Sequence, residues 1–89
     1  MFRLLATAQF KRDRKLMKKR GKEVAKLNHV MTMLAREDTL PPGQHAHRLA
    51  GEYRGHWECH IEPDWLLIWY VTEAEVVFVR TGTHSDLFG

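Results

Sequence analysis

Cysteine occurs once in the chain, proline three times, and no apolar run is longer than one strand needs. With Cys59 alone, no internal disulfide can form, and nothing ties the protein to an oxidising compartment. No segment approaches the roughly 20 apolar residues that span a bilayer. Met1 to Ala6 lacks the long apolar region and small-residue cleavage site of a secretory signal. No membrane is therefore expected as a partner, and the cytoplasm is the expected compartment. Acidic residues are also scarce in one place. Positions 1–36 hold eleven Lys and Arg against two acids, whereas positions 37–89 hold three against nine. Eight of the cations crowd between Lys11 and Lys22, with Asp13 the one acid among them. Such a cluster is the electrostatic footprint of a surface for a polyanion, usually nucleic acid. The bland reading is a solvated helix face.

What is present suits one domain spanning 1–89 with one modest core: 44% apolar and 28% charged residues. Phe2 to Ala6 suits an N-terminal strand, and Thr7 can cap the helix that follows by accepting from a free N–H. Ala8 to Arg20 offers a thin apolar stripe of Phe10, Leu16 and Met17 on an otherwise cationic helix, ended by Gly21. In Lys22 to Arg36, Val24, Leu27, Met31 and Leu34 recur at steps of three and four beside Val30, one buried helix face. Met31 and Met33 read as core filler. Thr39-Leu40-Pro41-Pro42-Gly43 excludes helix and central strand, so a loop is expected from there through His45 and His47 to Gly51. Trp57 to Glu62 alternates strictly: Trp57, Cys59 and Ile61 point one way, Glu58, His60 and Glu62 the other. Pro63-Asp64 makes a turn. Trp65 to Val71 is apolar on both faces, as a central strand is, and Val76 to Arg80 forms the last strand. The expected fold is α+β: an N-terminal strand, a two-helix hairpin on a mostly antiparallel four- to five-stranded sheet, and a short C-terminal helical turn.

The polar candidates are His47, His60, Asp64, Arg80 and His84, with Trp65 and Phe88 as aromatic neighbours. Each has an innocent explanation taken singly. Asp64 can serve only its own turn, Arg80 can pair with Glu58 or Glu62 across the sheet, and Phe88 can close the core. Together they supply what cleavage of RNA needs. Histidine, with a reference pKa of about 6.5, exchanges protons near neutrality. Arginine grips phosphate through two parallel hydrogen bonds, aromatic rings stack on unpaired bases, and the 2′-hydroxyl distinguishes RNA. The rival use is zinc, with His45 and His47 as a His-x-His pair completed by His60 and Asp64. That pair lies in a loop beside two prolines, which fixes no tetrahedral geometry, and the chain has no Cys-x-x-Cys and no His-Glu-x-x-His. Cys59 points inward with Trp57 and Ile61, which argues against a nucleophilic role.

These residues also carry a family resemblance over nearly the whole chain. Phe10-Lys11-Arg12-Asp13, Lys18 to Lys22, His47-Arg48-Leu49-Ala50-Gly51, Glu62-Pro63-Asp64-Trp65-Leu66-Leu67-Ile68 and above all Arg80 to Phe88 resemble the YafQ branch of the RelE/ParE superfamily of type II toxins. The resemblance implies a RelE-like, microbial ribonuclease-like fold and a ribosome-dependent mRNA endonuclease that uses neither metal nor cofactor. It implies that His47, His60, Asp64 and His84 form the acid–base set, that Arg80 binds phosphate, and that Trp65 and Phe88 place the substrate. Which histidine donates and which accepts stays open; His45 and His56 fall outside the pattern. A DinJ/RelB-like ribbon-helix-helix antitoxin is the implied partner, with operator DNA bound only by the complex. On this reading Lys11, Arg12, Lys15, Lys18, Lys19 and Lys22 hold ribosomal RNA while the sheet's open end handles the messenger. Two other functions use the same fold: a ParE-like inhibitor of a protein such as gyrase, which needs none of the histidines, and a non-catalytic RNA-binding module.

Overall fold

The computed structural model describes all residues 1–89. Its first strand, β1 (Arg3–Ala6), ends at Thr7, whose hydroxyl accepts from Phe10 N at 3.0 Å and so caps helix α1 (Ala8–Lys19). At the far end Gly21, with φ +88°, turns the chain in the left-handed region open to glycine. There Lys22 N reaches Met17 O and Gly21 N reaches Lys18 O, closing the helix with a Schellman motif. Helix α2 (Val24–Ala35) follows. The buried positions of the two helices are Phe10, Asp13 and Met17, then Leu27, Val30 and Met31. Leu16, expected in the stripe of α1, is instead 40% exposed, and Asp13 takes the inward place. The reason is a partner: Asp13 meets Arg80, so a carboxylate can be buried there.

The segment expected to be wholly loop contains a two-residue strand, β2 (His47–Arg48), flanked by single 3₁₀ turns at Pro42–Gln44 and Gly51–Tyr53. Next come β3 (Trp57–Glu62), β4 (Trp65–Val71), β5 (Glu75–Gly82) and the short helix α3 (His84–Phe88). The five strands form one sheet in the order β1-β5-β4-β3-β2, antiparallel except for the parallel β1–β5 pair. Both helices lie on the face carrying Cys59, Trp65, Leu67, Trp69, Val76 and Phe78, where the main core forms. The other face carries a smaller cluster, Leu66, Ile68 and Leu87, with Leu49, Tyr53 and Val79 against it.

Two register shifts decide which side chains meet. One, between β4 and β5, leaves Val79 out of the pairing and sets Arg80 opposite Ile68, and the other lies between β3 and β4. The β3–β4 pairing runs His60 to Leu66 and then Glu62 to Trp65, leaving Ile61 as a bulge. Because side chains alternate with period two, the extra residue carries Glu62 off the face of His60 and onto that of Trp65. The strict alternation expected through Glu62 therefore fails at its last step. Glu62 accepts from Lys26 at 2.9 Å and Lys22 at 3.3 Å, and these cations hold its carboxyl below the usual range.

Candidate active site

The face away from the main core presents the imidazoles. His60 points out from β3, and its ring lies 5.8 Å from that of His84 and 5.5 Å from that of His45, centroid to centroid. His84 opens α3, where Asp64, in the β3–β4 turn, accepts from its backbone N at 3.0 Å and faces its Nδ1 at 2.6 Å. These two hydrogen bonds hold the Asp64 carboxyl below its ordinary value. With Nδ1–H donating to Asp64, Nε2 of His84 is left for chemistry. On the other flank, His47 of β2 is paired in register with Glu58 of β3. Its Nε2 lies 3.4 Å from Glu58 Oε1, and His60 Nε2 lies 3.9 Å from the same oxygen. His45, His47 and His60 line a cleft of about 620 Å³, whose rim includes Gly43 and Pro63.

So His47, His60, Asp64 and His84 are brought together, as the sequence pattern requires. Arg80 shares their face without touching them. It lies opposite Ile68, which lies opposite Glu58, and register partners point to the same side. At about 4.8 Å per strand, its backbone is about 10 Å from that of Glu58. Its guanidinium is engaged from behind: Nε donates to Asp13 Oδ2 at 2.7 Å and Nη2 to Asp13 Oδ1 at 3.3 Å. Asp13, with a smaller contribution from Tyr53, raises the Arg80 pKa. Arg80 thus pairs with neither Glu58 nor Glu62. Its Nη1 edge points to the Tyr53 hydroxyl at 3.5 Å, and Tyr53 stands edge-on to the half-exposed Phe88 ring at 6.0 Å.

Trp65 is a correction. Expected to place substrate, it has no exposed surface at all. Its Nε1 donates to Thr81 Oγ1 at 2.9 Å, and that hydroxyl donates to Leu66 O at 2.7 Å. Seated in the main core, it cannot stack on a base. Its contacts brace the strands that carry Asp64 and Arg80. Lys22 needs correcting too: its ammonium pairs with Glu62 rather than standing free on the cationic surface. Lys11, Arg12, Lys15, Lys18 and Lys19 are exposed on α1, and Asp13, pointing inward, does not neutralise them. Burial lifts the Cys59 thiol to about 12, far from a nucleophile's range. No group of three or more His, Cys, Asp or Glu side chains is gathered closely enough to hold a metal ion.

This geometry has relatives. The model of the family described as "Bacterial toxin of type II toxin-antitoxin system, YafQ" matches residues 2–89. The chain belongs to that family. The mRNA interferase toxin YafQ of Escherichia coli K12 is 42% identical over 84 residues, 93% of this chain and 91% of the relative. The crystal structure of YafQ from E. coli BL21(DE3) superposes with a TM-score of 0.94 at 38% identity over the full length of both chains. YafQ in the E. coli DinJ–YafQ toxin–antitoxin complex gives 0.91 at 39% identity, covering 99% and 98%.

In this YafQ-family toxin, sequence reading left three site residues out. Glu58 and His45 are set beside His60, and Asp13 holds Arg80. Glu58 was signalled by its alternation onto the face of His60. His45 was one residue removed from the pattern at His47. Asp13 carried a weaker signal, a lone acid at helical spacing with Phe10 and Met17.

Proposed function

We propose that this toxin is an mRNA endonuclease acting on the ribosome by acid–base catalysis. The observation that carries the proposal is the line of imidazoles on one face, with His84 oriented by Asp64, His60 at its centre and His47 against Glu58. Two proton-exchanging groups within reach of one scissile phosphate are what transesterification demands. The 2′-oxygen bonds to phosphorus as its proton passes to one imidazole, the bond to the 5′-oxygen breaks, and a second imidazole returns a proton there. Arg80 and Tyr53, on the same face, are suited to the phosphate and Phe88 to a base. The residues named need no cofactor or metal to move these protons. The name of the 42%-identical relative, an mRNA interferase, supports the same reaction class.

The DinJ–YafQ complex supports a DinJ-like ribbon-helix-helix antitoxin as the neutralising partner. Operator DNA would be bound through that complex, and action on translating ribosomes places the toxin in the cytoplasm. The test is to map message ends after brief induction of the wild type, His60→Ala and His84→Ala. Chelator-insensitive cuts inside translated codons, reduced about 100-fold or more in both folded variants, are the expected result. Full toxicity in both variants would favour an inhibitor of a protein target, and ribosome binding without cuts would favour a simple RNA-binding module.

A further inference from the structure

β1 stops at Ala6, opposite Phe78, and leaves the last residues of β5 without a strand on that side. Helix α1 takes the empty place. The Thr7 hydroxyl at its cap donates to Val79 O at 3.0 Å, and Asp13, further along, accepts from Thr81 N at 3.2 Å. Asp13 thus meets β5 at its uncovered edge, where the Arg80 side chain can reach it. Oδ2 also accepts from Arg80 Nε at 2.7 Å, while Oδ1 accepts from Arg80 Nη2 at 3.3 Å and from Gln9 Nε2 at 3.0 Å. Four donors on two oxygens, in a residue only 6% exposed, leave this carboxylate no freedom to turn.

The arginine is both oriented and locally neutralised by this partner. A guanidinium carries five N–H groups in one rigid plane. Asp13 covers the side edge, made of Nε–H and one Nη2–H. One Nη1–H is directed to the Tyr53 hydroxyl at 3.5 Å, the long limit of a hydrogen bond. The end of the fork, between Nη1 and Nη2, stays open. With a carboxylate against its side, Arg80 offers an anion direction more than net charge. Undirected attraction is already supplied by the exposed cations of α1.

We propose that Asp13 is a positioning residue, holding Arg80 so that the guanidinium takes an RNA phosphate end-on, through Nη1–H and Nη2–H, at a place set by the packing of α1 against β5. That the anion is a messenger phosphate rests on the ribonuclease reading above; the anchored fork and its open end do not. Asp13 itself touches no substrate. An anion at the side edge would face its carboxylate, like charge against like, so the end of the fork is the seat that remains. The Tyr53 hydroxyl beside Nη1 keeps its own hydrogen to donate to the same phosphate.

Asp13→Asn separates orientation from charge, because the two predict opposite signs. The variant gains one positive charge beside the fork, so attraction alone would tighten the binding of inorganic phosphate. Loss of the anchor should instead weaken that binding about tenfold and lower cleavage per folded molecule by about 10- to 100-fold. Tighter phosphate binding, or undiminished cleavage, overturns the proposal. In an Arg80→Ala background, Asp13→Asn should add no further loss of cleavage. A full second loss there would mean that Asp13 acts by supporting the fold rather than through Arg80. Nitrogen-15 spectra of the wild-type guanidinium need no nuclease assay, and they answer even if Asp13→Asn does not fold. Nη1 and Nη2 of Arg80 should give separate signals, and inorganic phosphate should shift both while Nε–H stays in place. Freely rotating Nη groups, or a phosphate that displaces Nε–H from Asp13, refutes the anchored fork. The expected spectra in a protein that cuts no messenger would remove the nuclease reading and leave the fork standing.

Discussion

Trp65 and Arg80 show how a side chain's surroundings set its role. Both sit at positions that the family resemblance connects with activity, yet one is walled into the core and the other is anchored at its back edge. For Trp65 the expected consequence is structural. Trp65→Phe keeps the apolar body but removes the indole donor to Thr81, and it leaves a gap where the second ring was. A loss of about 1–2 kcal/mol should follow, read as a melting temperature lower by several degrees. RNA affinity per folded molecule should not change. A fall in affinity without a fall in melting temperature would return Trp65 to the substrate.

Among the elements, α3 carries the finest adjustments. Thr83 and Asp86 form a capping box at its start. Gly82 admits it closely: a Cβ there would lie 2.9 Å from the Asp86 Cβ. Arg20, just past the end of α1, makes two hydrogen bonds to Asp86, at 2.7 and 3.2 Å. These fix the helix whose first residue is His84. Arg20 is the main cause, with the Thr83 backbone N–H second, of an Asp86 pKa lowered to about 2. A depressed carboxyl contributes stability above its unfolded value, near 3.9 for aspartate. That contribution is lost as pH falls through the folded value. Wild-type stability should therefore decline between about pH 5 and pH 2. Asp86→Asn should be less stable at neutral pH and show a flatter decline, measured by denaturant unfolding at each pH. An unaltered acid profile would mean that the pair with Arg20 contributes nothing.

Over the whole molecule, charge is divided between surfaces. The exposed side of α1 presents Lys11, Arg12, Lys15, Lys18 and Lys19, while several acids of the second half are taken up by pairs, as Glu62 is by Lys22 and Lys26 and Glu75 by Arg3. If α1 holds ribosomal RNA, changing Lys15, Lys18 and Lys19 together to Gln should weaken binding. It should also lower the slope of log affinity against log salt by about two to three. Lys22→Gln should leave that slope nearly unchanged and act on stability through Glu62. Ribosome binding measured at several salt concentrations distinguishes the two, and an unchanged slope in the triple variant would remove the RNA role from this face.

Local chemistry was enough for most of the architecture. The Thr7 cap, the Gly21 stop, the steps of three and four through α2 and the Pro63-Asp64 turn each involve residues close in the chain, and each reads directly from the sequence. The grouping of His60, Asp64 and His84 was also readable, from strand alternation together with the family pattern. The rest depended on contacts between residues far apart. Arg80 and Asp13 are 67 positions apart, and their pairing exists only because α1 packs beside β5. The Ile61 bulge, which parts Glu62 from His60, is a matter of register between two strands and leaves no mark in composition. Whether Trp65 met solvent or core, and whether Glu58 found a cation, depended on what the packed sheet and helices laid over them. Burial is a property of neighbours in space.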